Sequence, residues 1–236
     1  MGTQAYAQDT STIEQKHYQD CMIIARSHPQ SALDNAKAWE GVGGGMPARH
    51  CHFAALMQLG HYAQAARGFE DLASELQTNV SLKAQLYGQS ANAWLVANNP
   101  GRAQKVLQLV LSQDPNNNTA LLLNAKALEL LGKPWEAADD LTRLLYQAPG
   151  TIDAILLRGD IYQKMGANDL ALNDFSRALT LQPNNSEALL ARGLIHFDNH
   201  NLRAARADWQ ALINANPDIA SRQQAEKYLQ RLRPKP

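Results

Sequence analysis

The chain predicts an all-α fold, a file of two-helix hairpins, on three observations. Its 236 residues include 37 Ala and 33 Leu, both strong helix formers, while strand-favouring residues are sparse. Residue types recur with a step of 34: Pro115, Pro149, Pro183 and Pro217; Ala103, Ala137, Ala171 and Ala205; Leu107, Leu141, Phe175 and Trp209; Trp94, Leu128, Tyr162 and His196; Tyr87, Leu121, Ile155 and Leu189. Within each unit apolar residues fall at three- and four-residue steps, the helical period, and two breaks interrupt them. One break lies at Asn98–Gly101, Gly132–Pro134, Gly166–Asn168 and Asn199–Asn201, the other around the four prolines. Gly and Asn end a helix in the left-handed conformation and Pro opens the next.

The elements follow in order. Residues 1–10 read as a tail. Residues 11–27 form a first helix with Thr10 or Ser11 as its cap, and Pro29 opens its partner. Glu40-Gly41-Val42-Gly43-Gly44-Gly45-Met46-Pro47 reads as a flexible connector; no Gly-Lys-Ser/Thr follows it, so it is not a phosphate loop. Gly60–Ala66 with Phe69 marks the second hairpin. Because Ala65 and Ala103 are 38 residues apart, its second helix is expected to run one turn long. Four regular units occupy 84–117, 118–151, 152–185 and 186–219. In each, a small residue early in the second helix allows close approach, and a bulky residue four positions later fills the adjacent space. Residues 218–233 make one more amphipathic helix through Ile219, Ala225, Tyr228, Leu229 and Leu232, with a polar outer face that suits a terminal cap. Arg233-Pro234-Lys235-Pro236 is a short basic tail.

This pattern resembles the tetratricopeptide repeat (TPR). Residues 152–185 carry it best, with Ile155, Gly159, Tyr162, Gly166, Ala171, Phe175, Ala178 and Pro183. Residues 186–219 follow with Leu189, Gly193, His196, Ala205, Trp209 and Pro217. Residues 84–117 and 118–151 are looser, with Ala91 and Ala125 where Gly is commonest, and residues 13–40, with Ala32 and Trp39, form a degenerate first unit. The resemblance implies one TPR α-solenoid over residues 11–233, about six antiparallel hairpins forming a right-handed superhelix, with the first helices lining its concave side.

Cys21 falls in the first helix and Cys51 in the first helix of the next hairpin. A disulfide between them is expected, stapling the least regular end; the alternative is a pair of buried free thiols. Ala5-Tyr6-Ala7 before Gln8 fits the small-x-small end of a secretory signal, although the apolar core that precedes such a site is lacking. An oxidised cysteine pair agrees with export, so a bacterial periplasm is the expected location, with the cytoplasm as the alternative. His17 and Cys21 share a helix face near His50-Cys51-His52, but His50 and Cys51 point in different directions and no second Cys-x-x-Cys exists, so no metal is expected.

Equal numbers of basic and acidic residues, 22 each, give no overall field for nucleic acid or an anionic membrane. No apolar run approaches the roughly 18 residues of a membrane span. There is no nucleophile elbow, no His-Glu-x-x-His and no paired Cys motif, so neither enzyme activity nor a cofactor is expected. Asp139 and Asp140 read as solvated carboxylates on a second helix. Function is therefore expected in the groove, as a non-enzymatic adaptor or scaffold holding a peptide or helix of another protein. By the family's geometry the groove carries Gln85, Gly88, Asn92 and Leu95, then Thr119, Leu122, Lys126 and Glu129. Asp153, Leu156, Asp160 and Gln163 follow, and finally Glu187, Leu190, Leu194 and Phe197. Amide and hydroxyl groups there suit a peptide backbone, and exposed Leu and Phe suit its side chains. With residues 84–185 set against the three first helices of the chaperone-binding members, Asp153 and Leu157 stand where the third helix would need Lys and Arg, so an acidic chaperone tail is a poor guest. Acidic residues cluster over 136–174 and basic ones over 202–236, which permits a second reading, a self-assembling scaffold with unlike-charged ends.

Overall fold

The structure is a computed structural model that describes residues 2–215 and 217–232, with side chains from Ile13 onward. The side chains of the Ala5–Ala7 triplet and the basic tail at 233–236 lie outside the described residues. Among the described residues there are thirteen helices and no strand: α1 (Gly2–Ser27), α2 (Pro29–Gly41), α3 (Gly45–Gln58), α4 (Tyr62–Glu75), α5 (Val80–Val96), α6 (Pro100–Gln113), α7 (Asn118–Leu130), α8 (Pro134–Gln147), α9 (Ile152–Lys164), α10 (Asn168–Leu181), α11 (Ser186–Asp198), α12 (Leu202–Asn214) and α13 (Ile219–Arg231). Two compact units divide them, Met1–Ala127 and Leu128–Pro236.

The turns form where the breaks were read, for a repeated local reason. Within hairpins, the N–H five residues on reaches back to the carbonyl of Leu56, Trp94, Leu128, Tyr162 or His196 at 2.7–2.9 Å. The intervening residue takes positive φ: Gly60, Asn98, Gly132, Gly166 and His200. This Schellman geometry satisfies the last carbonyls of the helix. Between hairpins, Asn117, Thr151 and Asn185 donate their N–H to the carbonyls of Asp114, Ala148 and Gln182, closing turns with proline at the second position. Asn79, Asn99, Asn185, Asn201 and Asp218 then cap the following helices through their side chains.

Three boundaries differ from the sequence expectation. Helix α1 runs back to Gly2, through residues read as a tail. The glycine-rich connector is three residues, Val42–Gly44, because Gly45-Met46-Pro47 already form the first turn of α3, where an N-terminal proline leaves no helical bond unmade. The extra turn lies in α5, with 17 residues, and not in α4, which has the same 14 residues as α6. Both inter-hairpin loops flanking α5 and α6 keep one length, and the Asn79 side chain accepts from the Leu82 N–H, starting α5 a turn early.

In the first unit the Cys21–Cys51 disulfide joins α1 to α3, with Cα atoms 6.2 Å apart. Beside it His17 stacks on Trp39 at 4.2 Å, and His52 Nδ1 lies 2.7 Å from Glu40 Oε1. His50 bridges three first helices: the Tyr18 hydroxyl lies 2.9 Å from Nδ1, and Nε2 lies 2.7 Å from Gln89 Oε1. A neutral imidazole protonated on Nε2 satisfies both bonds, and burial pushes its pKa down, with the Gln89 bond opposing. The disulfide consumes both thiols, and each of these imidazoles is committed to a ring or a hydrogen-bonding partner.

Close packing inside hairpins follows volume matching. Phe175 lies over Gly159 and Trp209 over Gly193, so a Cβ on Gly193 would come within 2.4 Å of Trp209 Nε1. In the second hairpin the order is inverted, with Gly68 of α4 facing Phe53 of α3. Where alanine replaces this glycine, at Ala91, the residue in the aromatic column is the smaller Leu107, in the same buried cluster. Trp209 is fully buried and stacks on Tyr228 of α13 at 4.8 Å, so it has no room to yield. Gly193→Ala is therefore expected to cost about 1–3 kcal/mol through overpacking. A Cβ on Gly88 would meet nothing nearer than 3.8 Å, so Gly88→Ala is expected to be neutral or to gain up to about 1 kcal/mol of helix propensity. Urea unfolding of the two variants checks the contrast, and equal midpoints would refute the packing account.

Candidate protein-binding faces

In the second unit the first helices α9 and α11 and the end of α7 carry the expected groove residues. Their local spacing places positions four and three apart on one helical face. Asp153 and Glu187 are exposed, Asp160, Gln163 and Glu129 are half-buried, and Leu190, Leu194 and Phe197 are half-buried apolar neighbours. Leu156, expected as an exposed contact, is buried at 6% exposure and belongs to the core. Phe197 leans on Trp209 at 6.0 Å, so only part of its ring is available to a guest.

The charges on this face converge. Lys164 Nζ lies 2.5 Å from Glu129 Oε1 and 2.5 Å from Asp160 Oδ2. Its ammonium is held protonated by the bonds to Asp160 and Glu129. Lys164 was missed in the sequence, although its place four residues after Asp160 is the signature of an intrahelical ion pair. Partial desolvation raises the Glu187 pKa, and the nearby carboxylates of Asp160 and Asp153 raise it further. Lys164 thus engages two carboxylates, Glu129 and Asp160, and Glu187 faces the repulsion of Asp160 and Asp153.

The raised pKa has a testable sign. Folding makes Glu187 a better proton holder than it is in the unfolded chain, so its contribution to stability is full below the ordinary value of 4.5 and is lost as pH rises through the folded value. Glu187→Gln is therefore expected to melt higher than the parent at neutral pH, with the difference vanishing in acid. Thermal melts across that range check it, and a difference that grows in acid would refute the assignment.

In the first unit, Asn92 and Lys126 are exposed and Leu95 and Leu122 half-buried. Gln85 and Thr119 sit elsewhere, on the wall of a cleft of about 770 Å³ between α5, the end of α6 and the start of α7. Gly88, also expected in the groove, is buried.

The carboxylates of the second helices correct one expectation. Asp140 is buried, at 9% exposure, and is not a solvated surface group. It begins a column with Asp174 and Asp208, spaced by 34 and likewise buried. Arg158 grips Asp174 with two bonds of 2.7 and 2.8 Å, and Arg192 grips Asp208 with two of 2.6 and 3.0 Å. The step of 16 from each Arg to its Asp, repeated once, was the available signal. Asp140 itself pairs with Arg143 at 3.4 Å. Among the described residues no three His, Cys, Asp or Glu side chains are grouped to hold a metal, and no helix is long and apolar enough to cross a membrane.

Comparison with known proteins agrees with this architecture. Residues 89–151 match the family described as "Tetratricopeptide repeat", and residues 159–200 the one described as "TPR repeat". No curated protein matches the chain in sequence. Among solved structures, a tetratricopeptide repeat protein from Parabacteroides merdae superposes with a TM-score of 0.64 at 16% identity, covering 89% of this chain and 83% of its own. MamA from Desulfovibrio magneticus RS-1 gives 0.62 at 16% identity, covering 77% and 94%. YrrB, a TPR protein with an unusual peptide-binding site, gives 0.59 at 18% identity, covering 81% and 96%.

Proposed function

We propose that this chain, which carries tetratricopeptide repeats, is a protein-binding module that holds a basic, amphipathic segment of another protein on the first-helix face of its second unit. The observation that carries the reading is a face with more carboxylates than cations: Lys164 pairs with Glu129 and Asp160, while Glu187 is left in the repulsive field of Asp160 and Asp153, on the helix that also carries half-buried Leu190, Leu194 and Phe197. Uncompensated like charge on a partly desolvated surface is relieved by a cationic guest, and the adjoining apolar side chains give such a guest area to bury. YrrB, whose fold is similar, is described as carrying a peptide-binding site. The Cys21–Cys51 bond supports an oxidising compartment such as a bacterial periplasm for this activity.

Fluorescence anisotropy with a labelled lysine–leucine amphipathic peptide tests the reading, with its glutamate–leucine counterpart as control. The variant Asp153→Asn, Asp160→Asn, Glu187→Gln is expected to bind the basic peptide at least tenfold more weakly and with a flatter salt dependence, about 1.4 kcal/mol or more. Unchanged affinity and salt slope, or equal binding of the acidic peptide, would sink it. The self-assembling alternative predicts salt-sensitive growth in sedimentation at rising concentration, and a monomer throughout favours docking.

A further inference from the structure

We infer that the extra turn of α5 creates a second binding site, in the first unit, for an extended, uncharged peptide segment bearing aliphatic side chains. The regular first helices α7, α9 and α11 have 13 residues, and α5 has 17, the excess lying ahead of the repeat at Val80–Lys83. Val80, Ser81 and Lys83 of that added turn wall the 770 Å³ cleft on one side. Leu109, Ser112 and Gln113 from the end of α6 wall the other, and the α4–α5 and α6–α7 loops contribute Gln77, Asp114 and Asn117. Its size lies within the roughly 300–1,000 Å³ typical of ligand sites.

The chemistry of the lining selects the guest. Both charges in the cleft are already engaged: Lys83 Nζ donates to the Leu76 carbonyl at 3.3 Å, and the Asp114 carboxylate accepts from the Asn116 N–H and the Asn117 amide, each at 3.2 Å. The cleft thus holds one cation and one anion, so a guest of either sign would lose water and meet one attractive and one repulsive charge, with no net gain. By contrast Gln77, Gln85 and Gln113 have no hydrogen-bond partner among the described residues, and each amide presents a donor and an acceptor, the complement of a peptide unit. Between them Val80 and Leu109 stand 59% and 53% exposed, aliphatic surface that sheds water when a side chain settles on it. Neutral amides around an aliphatic strip match an extended backbone with branched apolar side chains.

The test uses the full oxidised chain labelled with ¹⁵N, titrated with the capped peptide Ac-Gly-Val-Thr-Val-Gly-NH₂ and with counterparts carrying Lys or Glu at both Val positions. Expected are saturable shifts of the Gln77, Gln85 and Gln113 side-chain amides with the Val peptide and none with the charged ones. Leu109→Ser and Gln113→Ala, both at exposed positions, are expected to weaken binding about tenfold together, while Asn92→Ala, outside the cleft, leaves it unchanged. Thermal melts confirm that the variants fold. Absence of shifts at these amides up to millimolar peptide, stronger binding of either charged peptide, or unchanged affinity in the folded double variant each overturns the inference. The same double variant is expected to keep its affinity for the basic lysine–leucine peptide, so failure here is distinguishable from failure of the acidic-face reading.

Discussion

Replacing Asp174 by alanine is expected to destabilise the second unit by about 3–5 kcal/mol, the cost of leaving one member of a buried ion pair alone. The Arg158 guanidinium on α9 binds the Asp174 carboxylate on α10 through Nε and Nη2, and donates from Nη1 to Thr142 Oγ1 on α8 at 2.9 Å. Arg192 on α11 repeats the device with Asp208 on α12 and Ser176 Oγ on α10 at 3.2 Å. Each arginine thus clips its own hairpin and hooks the second helix of the hairpin before it. The Asp174 and Arg158 side chains are only 4% and 15% exposed, so water cannot replace the lost partner. The carboxylate bond also holds the guanidinium pKa above its ordinary value, in keeping with a charge that stays on. Exchanging both partners for apolar residues, Arg158→Met with Asp174→Leu, is expected to be near neutral, because the desolvation of both ions then disappears along with their attraction. Urea unfolding of Arg158→Met, of Asp174→Leu and of the double variant closes the cycle, with Asp174→Ala measured beside them. A loss under about 1 kcal/mol for Asp174→Ala, the range of an exposed pair such as Lys133–Glu136, would refute the clasp.

Reduction of the Cys21–Cys51 bond is expected to lower the stability of the first unit by about 3–4 kcal/mol, from the loop entropy returned to the unfolded chain. The bond closes a sequence separation of 30 residues. Its local weight is larger than that figure suggests, because α1 from Ile13 to Asp20 is mostly exposed and, among the described side chains of α1, the fully buried anchors are Cys21 and Ala25. Further ties among the described side chains are the His17–Trp39 stack, the Tyr18–His50 hydrogen bond and the partly buried Met22 and Ile24. With the disulfide open, α1 is expected to exchange its amides faster than α3 and to become the first site of proteolysis. Melts with and without reductant, and the variant Cys21→Ala, Cys51→Ala, check both effects. A melting temperature indifferent to reductant would show that packing alone holds the first hairpin.

The hairpin units, their turns and their caps were legible in the sequence because each is decided by neighbours in the chain. A Gly or Asn four residues past Trp94, Leu128 and Tyr162 sets a Schellman turn, His200 takes the same conformation four past His196, and a 34-residue step makes the same local decision four times. The pairing of Cys21 with Cys51 was likewise readable, since adjacent first helices bring their faces together. The acidic face was only half legible. Asp153, Asp160 and Glu187 were marked by position, but the bridge from Lys164 to Glu129 and the repulsion of Glu187 by Asp160 and Asp153 depend on distances between helices.

Local rules determined where helices start and stop and which columns of side chains are buried, since a period of 34 repeats backbone conformation without needing the tertiary structure. Packing between helices decided the rest. Asp140 and Leu156 are buried, an outcome of helix packing that the local pattern does not carry. Arg158 and Arg192 can neutralise buried carboxylates only once the two helices of a hairpin lie side by side, and can reach Thr142 and Ser176 only once a second hairpin is stacked on it. The four added residues entered α5 and not α4 because Asn79 caps there while the loops keep their length, and only in three dimensions does that turn become the wall of a cleft.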